Sequence, residues 1–119
     1  MMEKLISWVE IPTADFDRAV KFYNNVLKIE LKVETCDTEK MACFPTGEGA
    51  IIYADGYKPS SNGVIVSLQV PDTIDATMAR IKENGGELVV PKTKIQVEGL
   101  DYFALFLDSE GNKIGLYGK

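Results

Sequence analysis

The chain has 119 residues with 13 Lys and Arg against 18 Asp and Glu, a net charge of −5, two cysteines and no histidine, a length that suits one domain around one core. The cations are scattered singly, which excludes the basic surface that nucleic-acid binding requires. Apolar runs such as 50–54 and 103–107 are five residues long, whereas a membrane span needs about twenty. The opening MMEKLISWVE has no apolar stretch or small-residue cleavage site of a secretory signal, so the expected location is the cytoplasm.

Residues 6–11 read as a strand with something on both faces, Ile6, Trp8 and Glu10 on one and Ser7, Val9 and Ile11 on the other. Pro12 ends it, and Thr13 or Asp15 supplies the oxygen that caps the next helix. That helix has an apolar stripe of Phe16, Ala19, Val20, Tyr23, Val26 and Leu27, with Asp17, Arg18, Lys21 and Asn24 directed away from it. Three β-like segments follow at 31–36, 41–44 and 50–54, separated by turns at 37–40 and 45–49. A four-residue loop at 37–40 pairs Cys36 with Met41 and Glu34 with Cys43, leaving the cysteines as diagonal neighbours at the limit of disulfide reach. In a reducing compartment they read as free core thiols, and two cysteines without histidine make no structural zinc site.

Residues 55–63, DGYKPSSNG, are the densest turn-forming cluster and read as a linker. A second unit repeats the order of the first: a strand at 64–70, Pro71, a helix at 73–84 with the stripe Ile74, Thr77, Met78 and Ile81, and a stop at Gly85-Gly86. A strand at 87–90, a polar stretch at 91–100, and a hairpin of 102–107 with 113–117 around DSEGN complete it. Shifting the first strand by 59 lays Trp8 on Ser67, Glu10 on Gln69 and Ile11-Pro12 on Val70-Pro71. The expected architecture is a single α+β domain over 1–119, built of two βαβββ modules at about 4–56 and 63–119 with pseudo-two-fold symmetry and a linker at about 55–63.

Three stretches, EIPTADFDRAVKFYNNVL, VPDTIDATMARIKENGG and LDSEGNKIGLY, in this order and spacing, resemble the vicinal oxygen chelate superfamily of glyoxalase I, extradiol dioxygenases and bleomycin-resistance proteins. The resemblance covers essentially the whole chain. It implies curved mixed sheets around a cleft, often completed by a second subunit, and hence a two-fold homodimer, the commonest symmetric assembly. It also implies a divalent metal held by His, Gln or Glu from four strands. Those positions fall at Trp8, Ser67, about Ile51 and Gly115, and a two-residue slip adds only Glu10, Gln69 and Tyr53. Indole, aliphatic and glycine groups cannot replace a metal's water, so no metal and no cofactor is expected, and with them go glyoxalase and dioxygenase chemistry.

What remains is a lined cleft. Trp8 is an aromatic wall or fills the space of the metal; Glu10, one pleat along, is a base, a grip for a cationic ligand, or a paired surface carboxylate. Ser67 and Gln69 face the same space by the internal symmetry. Phe103 and Tyr117 sit opposite one another if the last turn centres on Glu110, but a one-residue slip reverses their faces, as it does for Phe44 and Tyr53. Asp108, Gly111 and Asn112 are turn residues, and 93–101 is a loop over the cleft hinged at Gly99 or an ordinary surface loop. Three functions stand: a metal-free binder of a small neutral or cationic, aromatic molecule; a metal-free lyase- or isomerase-like enzyme using Glu10 as base; and a structural or partner-binding module.

Overall fold

In the computed structural model, which describes residues 4–119, the elements are β1 (Val9–Pro12), α1 (Phe16–Leu27), β2 (Lys32–Cys36), β3 (Glu39–Cys43), β4 (Gly49–Tyr53), β5 (Ser67–Gln69), α2 (Ile74–Glu83), β6 (Glu87–Lys94), β7 (Tyr102–Leu107) and β8 (Lys113–Gly118). They form two four-stranded sheets of matching topology, β1-β4-β3-β2 and β5-β8-β7-β6. In each the first and last strands run parallel, β1 on β4 and β5 on β8, and the remaining pairings are antiparallel. This is the expected pair of βαβββ modules.

The helices form where periodicity and capping agree. Asp15 caps α1 by accepting from the Arg18 N–H at 3.1 Å, and Thr73 caps α2 by accepting from the Ala76 N–H at 3.1 Å. Phe16, Ala19, Phe22, Tyr23, Val26 and Leu27 are the buried face of α1, so Phe22 joins the stripe while Val20 is only half-buried. Gly86 follows α2 where a β-carbon would meet Ile81 Cγ2 at 2.6 Å and the Phe22 ring at 3.0 Å. A side chain there would hold the two helices apart.

Four boundaries differ from the sequence reading. β1 and β5 begin three residues late, at Val9 and Ser67, because each is an edge strand with one hydrogen-bonding neighbour. The β2–β3 loop is two residues, Asp37-Thr38, with Asp37 left-handed at φ 48, and pairs Cys36 with Glu39 and Glu34 with Met41. The Cys36 and Cys43 backbones therefore lie four residues apart along the ladder, about 13 Å, too far for a disulfide; the Cys36 side chain lies outside what is described. β6 runs on through Pro91 to Lys94 with two register shifts, which an outer strand tolerates because a missing N–H breaks no necessary ladder bond.

One core joins the modules. Ile11, Ala42 and Ile51 from the first sheet and Ala104, Phe106, Ile114 and Leu116 from the second pack with both helices, the Phe22 ring lying 5.0 Å from Tyr23 and 6.2 Å from Phe106. The 108–112 turn fastens this union. Asp108 accepts from the buried Tyr23 hydroxyl at 2.6 Å, from the Asn112 amide at 3.0 Å and from the Glu110 and Asn112 N–H groups at 2.9 Å. Asn112 donates to the Pro12 carbonyl at 2.8 Å. Glu110 accepts from the N–H groups of Ala14 and Asp15 and forms a two-pronged pair with Arg18. The residues of DSEGN are more than a turn: they tie the second module's hairpin to the first module's helix.

Candidate functional site

Strand parity sorts the side chains of each sheet into a helix-side face and a helix-free face. In the first sheet, Ile11, Ile51 and Ala42 pair across the helix side, so Glu10, Ile52, Met41 and Glu34 share the other. In the second, Leu68, Leu116 and Ala104 lie on the helix side, leaving Ser67, Gln69, Tyr117, Phe103 and Leu105 on the helix-free face.

Trp8 precedes β1, is 44% exposed, and donates its indole N–H to Glu10 Oε2 at 3.2 Å. Glu10 is exposed and lines two hollows. One, of about 170 Å³, has Ile52 and Met41 against the sheet and Glu34, Glu39, Tyr53 and Tyr57 around it. The other, of about 360 Å³, runs from β1 to the 58–66 segment and the start of β8, past Lys58, Val64, Val66 and Lys113. Tyr53, of opposite parity to Ile52, ends β4 at the edge of the first hollow.

Phe103 lies directly opposite Tyr117, which in turn neighbours Gln69, and Ser67 lies beside Gly115. The Tyr117 hydroxyl accepts from the Asp101 N–H at 3.2 Å, holding one end of the 95–101 loop. Lys94 draws the two ends together, donating to the carbonyl of Ile95 at one and to those of Leu100 and Asp101 at the other. Four of the expected site residues thus form a patch on the second sheet and Trp8, Glu10 and Tyr53 a patch on the first. Neither hollow beside Glu10 includes Ser67, Gln69, Phe103 or Tyr117.

The sequence reading had no place for Glu34, Glu39, Met41, Ile52 or Tyr57 in this region. Alternation alone puts Glu34 and Met41 on one face; that it is Glu10's face follows from the Ala42–Ile51–Ile11 register. Tyr57 comes from the linker and carries no periodic signal.

A divalent metal does not fit these residues. Ile51, at one of the four family positions, is fully buried on the helix side, and its helix-free neighbours are Ala50 and Ile52. A β-carbon at Gly115 would overlap the Ser67 hydroxyl. Among the described residues no three His, Cys, Asp or Glu side chains gather closely enough to hold a metal ion.

A family model described as the Glyoxalase/Bleomycin resistance protein/Dioxygenase superfamily matches residues 5–116. The chain belongs to that superfamily. Among solved structures it is similar to a glyoxalase/bleomycin resistance protein from Albidiferax ferrireducens T118, at 22% identity over 98% of this chain and 99% of that one, with a TM-score of 0.69. It is similar also to the genomically encoded fosfomycin resistance protein FosX from Listeria monocytogenes, at 21% identity, 100% and 93% coverage and a TM-score of 0.68. Glyoxalase I from Zea mays matches at 21% identity with a TM-score of 0.67, covering 93% of this chain and 44% of that longer one. These likenesses establish the shared fold. No match is found among curated proteins.

Proposed function

We propose that this protein is a metal-free binder of small neutral or cationic molecules, working in the cytoplasm as a two-fold homodimer. The observation that carries the reading is the chemistry of the helix-free faces. They offer an indole, a phenol, a carboxylate, an amide and a hydroxyl at Trp8, Tyr117, Glu10, Gln69 and Ser67, with the Tyr53 phenol at the edge of the first hollow, and nothing at the family's ligand positions that can hold a metal. Membership of a family of small-molecule proteins supports it. Elemental analysis is expected to find no stoichiometric transition metal after dialysis; one metal per chain overturns that part. A thermal-shift screen of metabolites and antibiotics on the metal-free protein is expected to give hits that also change Trp8 fluorescence, since a compound at a hundred times its dissociation constant adds about 2.7 kcal/mol.

Dimerisation is supported by the strand edges. β1 and β5 are each unpaired along one side among the described residues, and the chain leading into them carries Leu5 at 82%, Ile6 at 62% and Val64 at 91% exposure. Open edges with apolar flanks are left bare at the risk of aggregation. A second copy laid β1 against β5 covers both edges at once and faces Trp8 and Glu10 of one chain with Ser67, Gln69, Phe103 and Tyr117 of the other. Light scattering is expected at twice the 13.2 kDa chain mass; a single-chain mass at micromolar concentration refutes it.

The enzyme reading draws on one feature, the Trp8 indole that orients the Glu10 carboxylate, as a general base must be oriented. If a screened compound is turned over, Glu10→Gln abolishes turnover, a loss well beyond any weakening of binding.

A further inference from the structure

The smaller hollow on the first sheet has a composition that the binding reading alone does not account for. Its base is apolar, with Ile52 and Met41 adjacent across the β3–β4 ladder. Two phenols stand at its rim, Tyr53 at 42% and Tyr57 at 49% exposure, so neither is placed there by core packing. Three carboxylates, Glu10, Glu34 and Glu39, face one ammonium, Lys40. Three acids among the described residues form ion pairs, Asp72 with Lys28 and Arg80, Asp75 with Lys92 and Glu110 with Arg18, and none of them lies at this hollow. Among the described residues, Glu34 and Glu39 have no such partner.

The spacing decides what kind of charge the hollow suits. Glu34 pairs with Met41, Met41 with Ile52, and Ile52 with Pro12 beyond. Glu34 and Glu10 therefore stand on strands three spacings apart, about 14 Å at the backbone. Carboxylates dispersed around a rim do not converge on one inorganic ion, in accord with the lack of any metal-sized cluster among the described residues. They surround a molecule whose body lies on Ile52 and Met41 and whose charge is spread over methyl or methylene groups that phenol faces attract. The volume of about 170 Å³ lies below the usual range for drug-sized ligands, so the occupant is small.

We propose that this hollow binds a small organic cation, an alkyl- or arylammonium compound, with the phenols and the apolar base holding its body and Glu10 and Glu34 its charge from opposite sides. The proposal rests on the small-molecule reading above and narrows it to one ligand class.

The test uses the full chain and three probes of similar shape and different charge: benzyltrimethylammonium, benzyl alcohol and phenylacetate. Trp8 is the sole tryptophan and is bonded to Glu10, so its fluorescence reports occupancy. The cation is expected to give a saturable change whose affinity falls as salt rises. Glu34→Gln and Tyr57→Ala are each expected to weaken it about fivefold without lowering the melting temperature, while Glu83→Gln on α2 leaves it alone. Equal or tighter binding of benzyl alcohol or phenylacetate overturns the proposal, as does a Glu34→Gln affinity within twofold of wild type. Silence from all three probes also overturns it. In that case, hits of other charge in the thermal-shift screen keep the binding reading standing, and a screen without hits removes both.

Discussion

Asp108 and Glu10 are both carboxylates beside a strand, yet the chain treats them in opposite ways. Asp108 is buried and collects four donors, and Glu110 two residues on collects two backbone N–H groups, the Ser109 hydroxyl and both prongs of Arg18. Glu10 has the Trp8 indole N–H alone. Saturated acids cannot take another donor without losing one they hold, so the 108–112 region is architecture; under-engaged acids on the helix-free face remain available to something else. The contrast separates fold from site without reference to any relative, and it can be broken at either end.

The largest effect is expected from Asp108→Ala, which strands the Tyr23 hydroxyl and two backbone N–H groups and leaves the Asn112 amide with the Pro12 carbonyl alone. Loss of buried partners on this scale costs about 3 kcal/mol or more, readable by urea denaturation. A cost below about 1 kcal/mol would mean that the turn does not join the modules. Glu110→Ala comes next at about 1–2 kcal/mol, since it removes a helix-end acceptor and an ion pair whose Arg18 half is exposed.

The same variant carries a pH signature. Burial pushes the Glu110 carboxyl up, but hydrogen bonds from Arg18, Asp15, Ser109 and Ala14 outweigh it and the net displacement is downward. A lowered folded value gives stability that is fully present above the ordinary value of 4.5 and is lost as pH falls through the folded one. Glu110→Ala is therefore expected to flatten the acid limb of a stability-against-pH curve. At the alkaline end the sign reverses: burial first, and Asp108 beside it, hold the Tyr23 phenol well above its ordinary value of 10.0. Its contribution is present below pH 10 and lost above, and Tyr23→Phe is expected to remove that loss from the same measurement.

Trp8→Ala should cost about 1 kcal/mol, because the ring is close to half exposed; a loss of 3–5 kcal/mol would make Trp8 a packing residue. The smallest effect is expected from Glu10→Gln and Glu34→Gln, within about 0.5 kcal/mol of wild type. A large loss in either would place these carboxylates with Asp108, on the architectural side.

What the sequence revealed followed the range of its signals. Periodicity and capping disclosed both helices, and the last hairpin could be aligned so that Phe103 met Tyr117 because the loop carries Asp, Gly and Asn at turn positions. The Asp37-Thr38 loop lacks the glycine that marks a tight hairpin, so its length was misjudged by two. Pro91 reads as a strand end unless the strand is known to lie at a sheet's edge, which only the fold decides. Glu110 was unreadable because its partners lie more than ninety residues back in the chain, and Tyr23 passed as one more apolar side chain on a helical stripe. The first-sheet hollow was hidden for a related reason: it needs residues from four strands and the linker, and no pairwise pattern records such a meeting.

The close approach of Gly115 to Ser67 reaches beyond this chain's chemistry to the mutational routes open to it. A β-carbon at 115 would displace the Ser67 hydroxyl and sit 3.3 Å from the serine's own Cα and Cβ. A carboxylate or imidazole therefore enters position 115 only if Ser67 turns its hydroxyl away and its strand gives by a few tenths of an ångström. The two sites constrain each other: shrinking 67 first opens room, whereas changing 115 first forces Ser67 to shift. From this sequence, placing a metal-binding side chain at 115 requires coordinated change at neighbouring strands, and the order of the steps matters as much as their number.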